Sequence, residues 1–283
     1  MNRKYLILFL IIGFLFLCIY LPKSLSSKEE VIFNIKKGDS SGEVALNLEK
    51  EGFISSGSFF RLYVLITGVS GKLQAGSYFL SPSMNIPKIA GKLSRGEIAK
   101  AKITIPEGFT AEQIYQRTMG VANVDLASLK DSEGYLFPDT YEITYGMNEE
   151  EMIKMMVDNF NKNVTPELKE EIKQQGKTLE EIVIMASLIE KEVKTKEEKE
   201  LASDVLWKKL KIGMALQVDS APETYERRGL PVKPICNPGL ESIKAAIYPK
   251  NSQYWYYLST PEGKTIFSKT LEEHNAARAK YLK

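Results

Sequence analysis

Residues 5–21 form an unbroken uncharged run of mostly large apolar side chains, with Arg3 and Lys4 ahead of it. In a nonpolar surrounding such a segment must bond its own backbone groups internally, so it has to be a helix. Seventeen residues at the helical rise span roughly 25 Å, near the lower limit for crossing a bilayer. Basic residues on the leading side put the N-terminus in the cytoplasm and export the rest of the chain. The competing reading is a cleaved signal peptide, for which Ser24-Leu25-Ser26 is a weak small-x-small site. The core is long for a signal peptide and Pro22-Lys23 follows it directly, so we read a retained anchor. Cys18 lies among bulky Phe16, Leu17 and Ile19 and does not resemble a lipidation site. The expected plan begins with a cytoplasmic tail (1–4), a transmembrane anchor (5–21) and a linker (22–30).

The remaining chain is long enough for two modest domains with real cores. Its 38 basic residues nearly balance its 36 acidic ones, which leaves no electrostatic footprint for a nucleic-acid partner. Two cysteines, Cys18 and Cys236, and one histidine, His274, give neither a disulfide framework nor a structural zinc site.

From residue 31 the pattern alternates short strands and helices, which points to an α+β fold. A strand over 31–35 leads through Lys37-Gly38-Asp39-Ser40 into a helix that Gly52 ends. A second helix covers 58–66, and a strand at 76–80 is followed by a helix over 86–93 and a strand at 101–105. The pentapeptide Gly38-Asp39-Ser40-Ser41-Gly42 matches the G-x-S-x-G nucleophile elbow. However, its strand alternates rather than being wholly apolar, and Ser40 with Glu43 fits a helix capping box. This stretch has no histidine, cysteine or acid cluster, so it reads as a binding or spacing module.

The chemistry is sought further on. Thr178 is a plausible N-cap for a helix over 178–193, with Glu180 and Glu181 near its positive end. Leu179, Ile182, Val183, Ala186, Ile189 and Val193 form one apolar stripe. Glu190 projects from that stripe, while Glu192 sits well round toward Glu181. A carboxylate on an apolar face is desolvated, which favours its protonated form and suits it to donate a proton near neutral pH. The plain alternative is that Glu190 ends a core helix and turns to solvent beside Lys191 and Lys194. The Lys/Glu-rich helix that follows, 196–210, reads as a solvated face.

Several dense motifs surround this helix: Thr104-Ile105-Pro106-Glu107-Gly108, the run 133–141 (Glu-Gly-Tyr-Leu-Phe-Pro-Asp-Thr-Tyr), Ala186-Ser187-Leu188-Ile189-Glu190-Lys191-Glu192, the run 213–219 (Gly-Met-Ala-Leu-Gln-Val-Asp), the run 229–239 from Gly-Leu-Pro to Asn-Pro-Gly, and Glu273-His274-Asn275. In this order and at these spacings the sequence resembles the endolytic peptidoglycan transglycosylases, the MltG or YceG-like family. The resemblance runs from about residue 31 to the C-terminus. It implies a LysM-like module over 31–105 joined to a YceG-like catalytic domain over 106–283. It also implies a membrane-bound enzyme facing the cell wall, cleaving the MurNAc–GlcNAc linkage of nascent glycan strands to leave 1,6-anhydro-MurNAc ends.

On that resemblance Glu190 is expected as the catalytic acid and then base, with no metal and no cofactor. Gln217 and Asn237 would bond the N-acetyl group or polarise the acid, and Asp219 would order the site or stabilise oxocarbenium charge; each could equally hold a loop. Glu192 would bind a neighbouring backbone or lysine, and Ser187 and Tyr135 are further candidates for ordering the site or binding substrate. Tyr135 belongs to an aromatic loop that could stack on sugars or anchor the core. His274 would orient Glu273 or Asn275. The expected partners are glycan strands, the cytoplasmic membrane and peptidoglycan synthases. Three departures stand out. The segment between Asp219 and Gly229 lacks a Tyr-Asn-Thr-Tyr block, Asp-Pro-Thr reads Asp219-Ser220-Ala221, and Thr265 replaces a histidine. The shortened segment leaves a second reading open, a noncatalytic peptidoglycan-binding scaffold.

Overall fold

A computed structural model describes residues 3–282. The chain runs α1 (Arg3–Tyr20), β1 (Val31–Ile35), α2 (Ser41–Lys50), α3 (Gly57–Ile66), β2 (Gly76–Leu80), α4 (Ile86–Arg95) and β3 (Lys100–Thr104). It continues through α5 (Ala111–Thr118), β4 (Ala122–Asn123), α6 (Leu126–Asp131), β5 (Thr140–Thr144), β6 (Met147–Asn148), α7 (Glu149–Asn163) and α8 (Pro166–Gln174). Then come α9 (Leu179–Glu192), α10 (Lys196–Lys211), α11 (Glu223–Glu226), α12 (Leu240–Ile247), β7 (Tyr256–Ser259), β8 (Thr265–Ser268) and α13 (Leu271–Tyr281). The mixture of many helices with small sheets is the expected α+β class. Among the described residues no helix is long and apolar enough to cross a membrane.

The chain divides into two compact units, the first comprising residues 1–101 and 142–147 and the second 102–141 and 148–283. In the first, β1 and β2 pair antiparallel with Phe33 opposite Tyr78. Both side chains are fully buried with Leu48, Phe60, Leu80, Ile89 and Leu93. Ser40 is the N-cap of α2: its hydroxyl accepts from Glu43 N at 3.2 Å while Glu43 Oε2 accepts from Ser40 N at 2.7 Å. The local sequence is therefore spent on starting a helix. α4 starts on Asn85 with Pro87 in its first turn and ends on Gly96 in the left-handed region (φ 66°), the usual asymmetry of helix ends.

The second unit is built round α9. Thr178 and Glu181 form a reciprocal capping box at its start, and Val193 leaves the helix in extended geometry. Every residue from Ile182 to Ile189 is buried, on all faces of the helix. The predicted stripe is thus only part of what is covered, because α8, α10 and α12 pack around the other sides. Fully buried large aliphatic side chains stabilise by about 1.5–3 kcal/mol each, so α9 is firmly fixed in this unit. Its C-terminal turn carries Glu190, Lys191 and Glu192.

Candidate active site

Successive residues on a helix differ by about 100°, so Glu190 and Glu192 leave the end of α9 in different directions. The Glu190 side chain is 8% exposed and meets Lys199 of α10, itself 3% exposed, at 3.1 Å. Its other oxygen accepts from Gly239 N at 2.9 Å and from Ser242 Oγ at 2.6 Å, at the start of α12. The carboxylate is therefore engaged on both oxygens by donors from two other helices or their caps. Such an arrangement braces packing; removing one member strands a buried charge. Glu190 is buried as expected of a carboxyl on an apolar face, but the packing that buries it also brings Lys199 beside it.

Glu192 takes the other direction. It lines a cleft of ≈ 710 Å³ together with Gln217, Asp219, Tyr225, Tyr257 and His274. Ser220 donates to Glu192 Oε1 from its hydroxyl at 2.9 Å and from its backbone N–H at 3.3 Å. Ser220 serves only Oε1; the Tyr257 hydroxyl, which makes no close hydrogen bond, stands near enough to the carboxyl to act as a donor toward it. Burial pushes the Glu192 carboxyl above the usual carboxylate range, and nearby Asp219 adds to this; the Ser220 hydrogen bonds oppose it.

Part of the cleft lining, Gln217 to Tyr225, runs into the shortened segment. Thr224 Oγ1 accepts from Val218 N at 2.9 Å and donates to Ala221 O at 2.7 Å, knitting a tight turn. Within it Gln217 has φ 57°, the only left-handed conformation at a non-glycine position among the described residues. For such a residue this backbone is disfavoured by about 1–2 kcal/mol, a strain of the kind found at functional sites. Asp219 accepts a hydrogen bond from the Tyr225 hydroxyl, which pushes the phenol up to about 12. Lys209 of α10 is 4% exposed and donates to Leu216 O at 2.9 Å; burial pushes its ammonium down to about 8. His274 stacks on Tyr256 with ring centroids 5.3 Å apart. Burial lowers its pKa, so the imidazole is favoured in its neutral form.

The other predicted residues have structural surroundings. Asn237 is fully buried. Its carbonyl oxygen accepts from Gly134 N at 2.8 Å and Leu136 N at 3.0 Å, and its amide donates to Phe109 O at 3.0 Å and Glu133 Oε1 at 2.8 Å. It ties three of the motif loops together rather than facing the cleft. A Cβ at Gly134 would come within 2.5 Å of Pro234, which is why that loop needs glycine. Ser187 is buried and receives Ile235 N at 3.1 Å. Tyr135 packs edge-on to Phe160 at 5.1 Å, so its loop anchors core. Glu273 receives Lys269 N at 2.7 Å at the start of α13, and Asn275 and His274 lie in the cleft. Sequence reasoning had not singled out Ser220, Tyr225, Tyr257, Lys209 or Arg278, all of which line it. The strand-like run of aromatics at 254–257 was the available signal for Tyr257. Among the described residues no three histidine, cysteine or acidic side chains are grouped to hold a metal.

The YceG-like family model matches residues 33–223 and 221–280, two segments that meet inside the shortened connection. The endolytic murein transglycosylase of Bacillus subtilis (strain 168) is 32% identical over 316 aligned residues, covering 92% of this chain and 87% of that protein. The endolytic murein transglycosylase of Streptococcus pneumoniae serotype 2 (strain D39) is 27% identical over 334 aligned residues, 93% of this chain and 60% of that one. The crystal structure of a yceG-like protein from Listeria monocytogenes superposes with a TM-score of 0.54 at 30% identity, covering 89% of this chain and 100% of that one.

Proposed function

The chain belongs to the YceG-like family, and from that premise we propose that it is a lytic transglycosylase of murein in which Glu192, not Glu190, carries the proton. The supporting observation is the contrast between the two acids. Glu190 is engaged on both oxygens inside the packing, whereas Glu192 lines the cleft with no cation paired to it and its acid form favoured by burial.

A glycosidase that uses water needs two carboxyl groups. Where the sugar's own C6 hydroxyl attacks C1, one carboxyl serves both proton transfers. Glu192 gives its proton to the glycosidic oxygen as the C1–O bond breaks, and the leaving GlcNAc departs as an alcohol. The C6 hydroxyl then bonds to C1 and its proton passes to the Glu192 carboxylate, which restores the acid and closes the 1,6-anhydro ring. Asp219, held by Tyr225, faces the same space and favours the positive charge that develops at C1.

The protein acts from the cytoplasmic membrane, with the 5–21 run as its single span, the N-terminus inside and the catalytic unit toward the wall. The apolar run and the leading Arg3 and Lys4 support this. That position brings the cleft to strands as synthases release them and suits an enzyme that ends glycan elongation, with the LysM-like module gripping the strand. Digestion of purified glycan strands followed by mass spectrometry is the test. Anhydro-ended fragments that vanish in Glu192→Gln support the reading. Reducing ends would mean hydrolysis with Asp219 as second carboxyl, and strand binding without cleavage would mean a scaffold with a disabled loop.

A further inference from the structure

Three buried side-chain polar atoms have no hydrogen-bond partner among the described residues: Ser203 Oγ, Tyr257 Oη and His274 Nδ1. Tyr257 and His274 line the Glu192 cleft. A buried hydroxyl with no partner costs about 1–3 kcal/mol, and native proteins carry few of them. The Tyr257 ring is well fixed: it packs against the central core and against Phe267 on the paired strand, with ring centroids 6.0 Å apart. Its hydroxyl is thereby held close to the Glu192 carboxyl, and each group perturbs the other's protonation.

We propose that Tyr257 is a positioning residue for Glu192, its hydroxyl donating the hydrogen bond that the Glu192 carboxylate requires once the catalytic proton has left. The proposal rests on the reading of Glu192 as the acid and base. Burial and the neighbouring negative charges of Glu192 and Asp219 hold the phenol well above its ordinary range, so it keeps its proton throughout and acts only as a donor. In the structure Ser220 serves Oε1, and the phenol lies near the carboxyl without a close hydrogen bond, as suits a protonated Glu192. When the proton passes to the glycosidic oxygen, a carboxylate appears beside the phenol. Hydrogen bonds to charged groups are stronger than neutral ones. The hydroxyl thus favours the state after proton donation over the state before it, which is the differential stabilisation that speeds a step. The same contact limits how far burial can raise the Glu192 pKa, so a carboxylate persists long enough to take the C6 proton.

Tyr257→Phe removes only the hydroxyl and keeps the ring. In the full chain we expect a melting temperature equal to or above that of the native protein, because an unpaired buried group is gone. Turnover is expected to fall by about tenfold to a hundredfold, the worth of one charge-assisted hydrogen bond. The decisive readout is the Glu192 carboxyl followed by carbon-13 NMR, its resonance identified by its loss in Glu192→Gln. It should titrate at higher pH in Tyr257→Phe than in the native protein, and the alkaline limb of the turnover profile should move the same way. An unmoved titration overturns the proposal even if activity falls, since the hydroxyl would then serve the substrate. Full activity in Glu192→Gln removes the catalytic reading instead, and with it the role of Tyr257. A shifted titration in that case would still record the contact, so the two failures are told apart.

Discussion

Two acids two residues apart at the end of one helix have opposite surroundings. Around Glu190, α10 and the start of α12 supply an ammonium, an amide N–H and a hydroxyl within 3.1 Å. Around Glu192, one oxygen is held by Ser220 and the residue lines a cleft of ≈ 710 Å³. Burial alone does not make a catalytic acid. Desolvation favours the protonated form only where no cation enters with the carboxylate, and a carboxyl transfers a proton only where substrate can reach it.

The contrast breaks first on activity. Glu192→Gln should lower turnover by about 10²–10⁴-fold, the usual worth of general acid–base catalysis, with a melting curve close to native. Steady-state release of anhydro-ended fragments measures this, and a variant retaining a tenth of native activity would refute the assignment. On the other side of the contrast, Glu190→Ala should cost about 3–5 kcal/mol of stability by stranding the Lys199 ammonium. Replacing both members with apolar residues, Glu190→Leu with Lys199→Met, should recover much of that loss. Denaturant titration decides it. A double variant no better than Glu190→Ala would mean that Gly239 and Ser242, rather than the ion pair, hold the helix ends together.

Much of the frame was legible. The Ser40–Glu43 capping box, the glycine stop of α4 and the Thr178 start of α9 are local chemistry, and local chemistry is written in neighbouring residues. The choice between Glu190 and Glu192 was not. A stripe of apolar residues shows which face is buried only when the opposite face meets water, and α9 is covered on every side. The Lys/Glu run of α10 read as a solvated face, yet Lys199 and Lys209 are 3% and 4% exposed. Nothing near them in sequence marks these lysines, because their partners, Glu190 and the Leu216 carbonyl, are brought in by tertiary packing. The sequence left Asn237 open between sugar ligand and loop holder for the same reason: its four hydrogen bonds go to residues more than 100 positions away.

Asn237 extends the contrast, since it orders the loops beside Glu190 and does not line the Glu192 cleft. Asn237→Ala leaves the Gly134 and Leu136 amides unsatisfied and should cost about 2–4 kcal/mol, at about 1–3 for each stranded group before relaxation. Stability should fall more than the turnover of the fraction that remains folded. A large loss of turnover with native stability would return Asn237 to the site.

The smallest effect tests the cleft itself. Gln217 holds a left-handed backbone at φ 57° in the lining of the cleft that Glu192 also lines. Gln217→Gly relieves that strain but loosens the unfolded chain, so the two changes nearly cancel and stability should rise by at most about 1 kcal/mol. Gln217→Ala keeps the strain and removes the same polar group. If the strained turn exists to present the amide to substrate, both variants should lower kcat/KM to a similar extent while differing in melting temperature, with glycine the more stable. Equal melting temperatures would show that the strain carries no weight. Unchanged kcat/KM in both would leave Gln217 outside the substrate's reach and confine the working wall of the cleft to Asp219, Tyr225 and Tyr257.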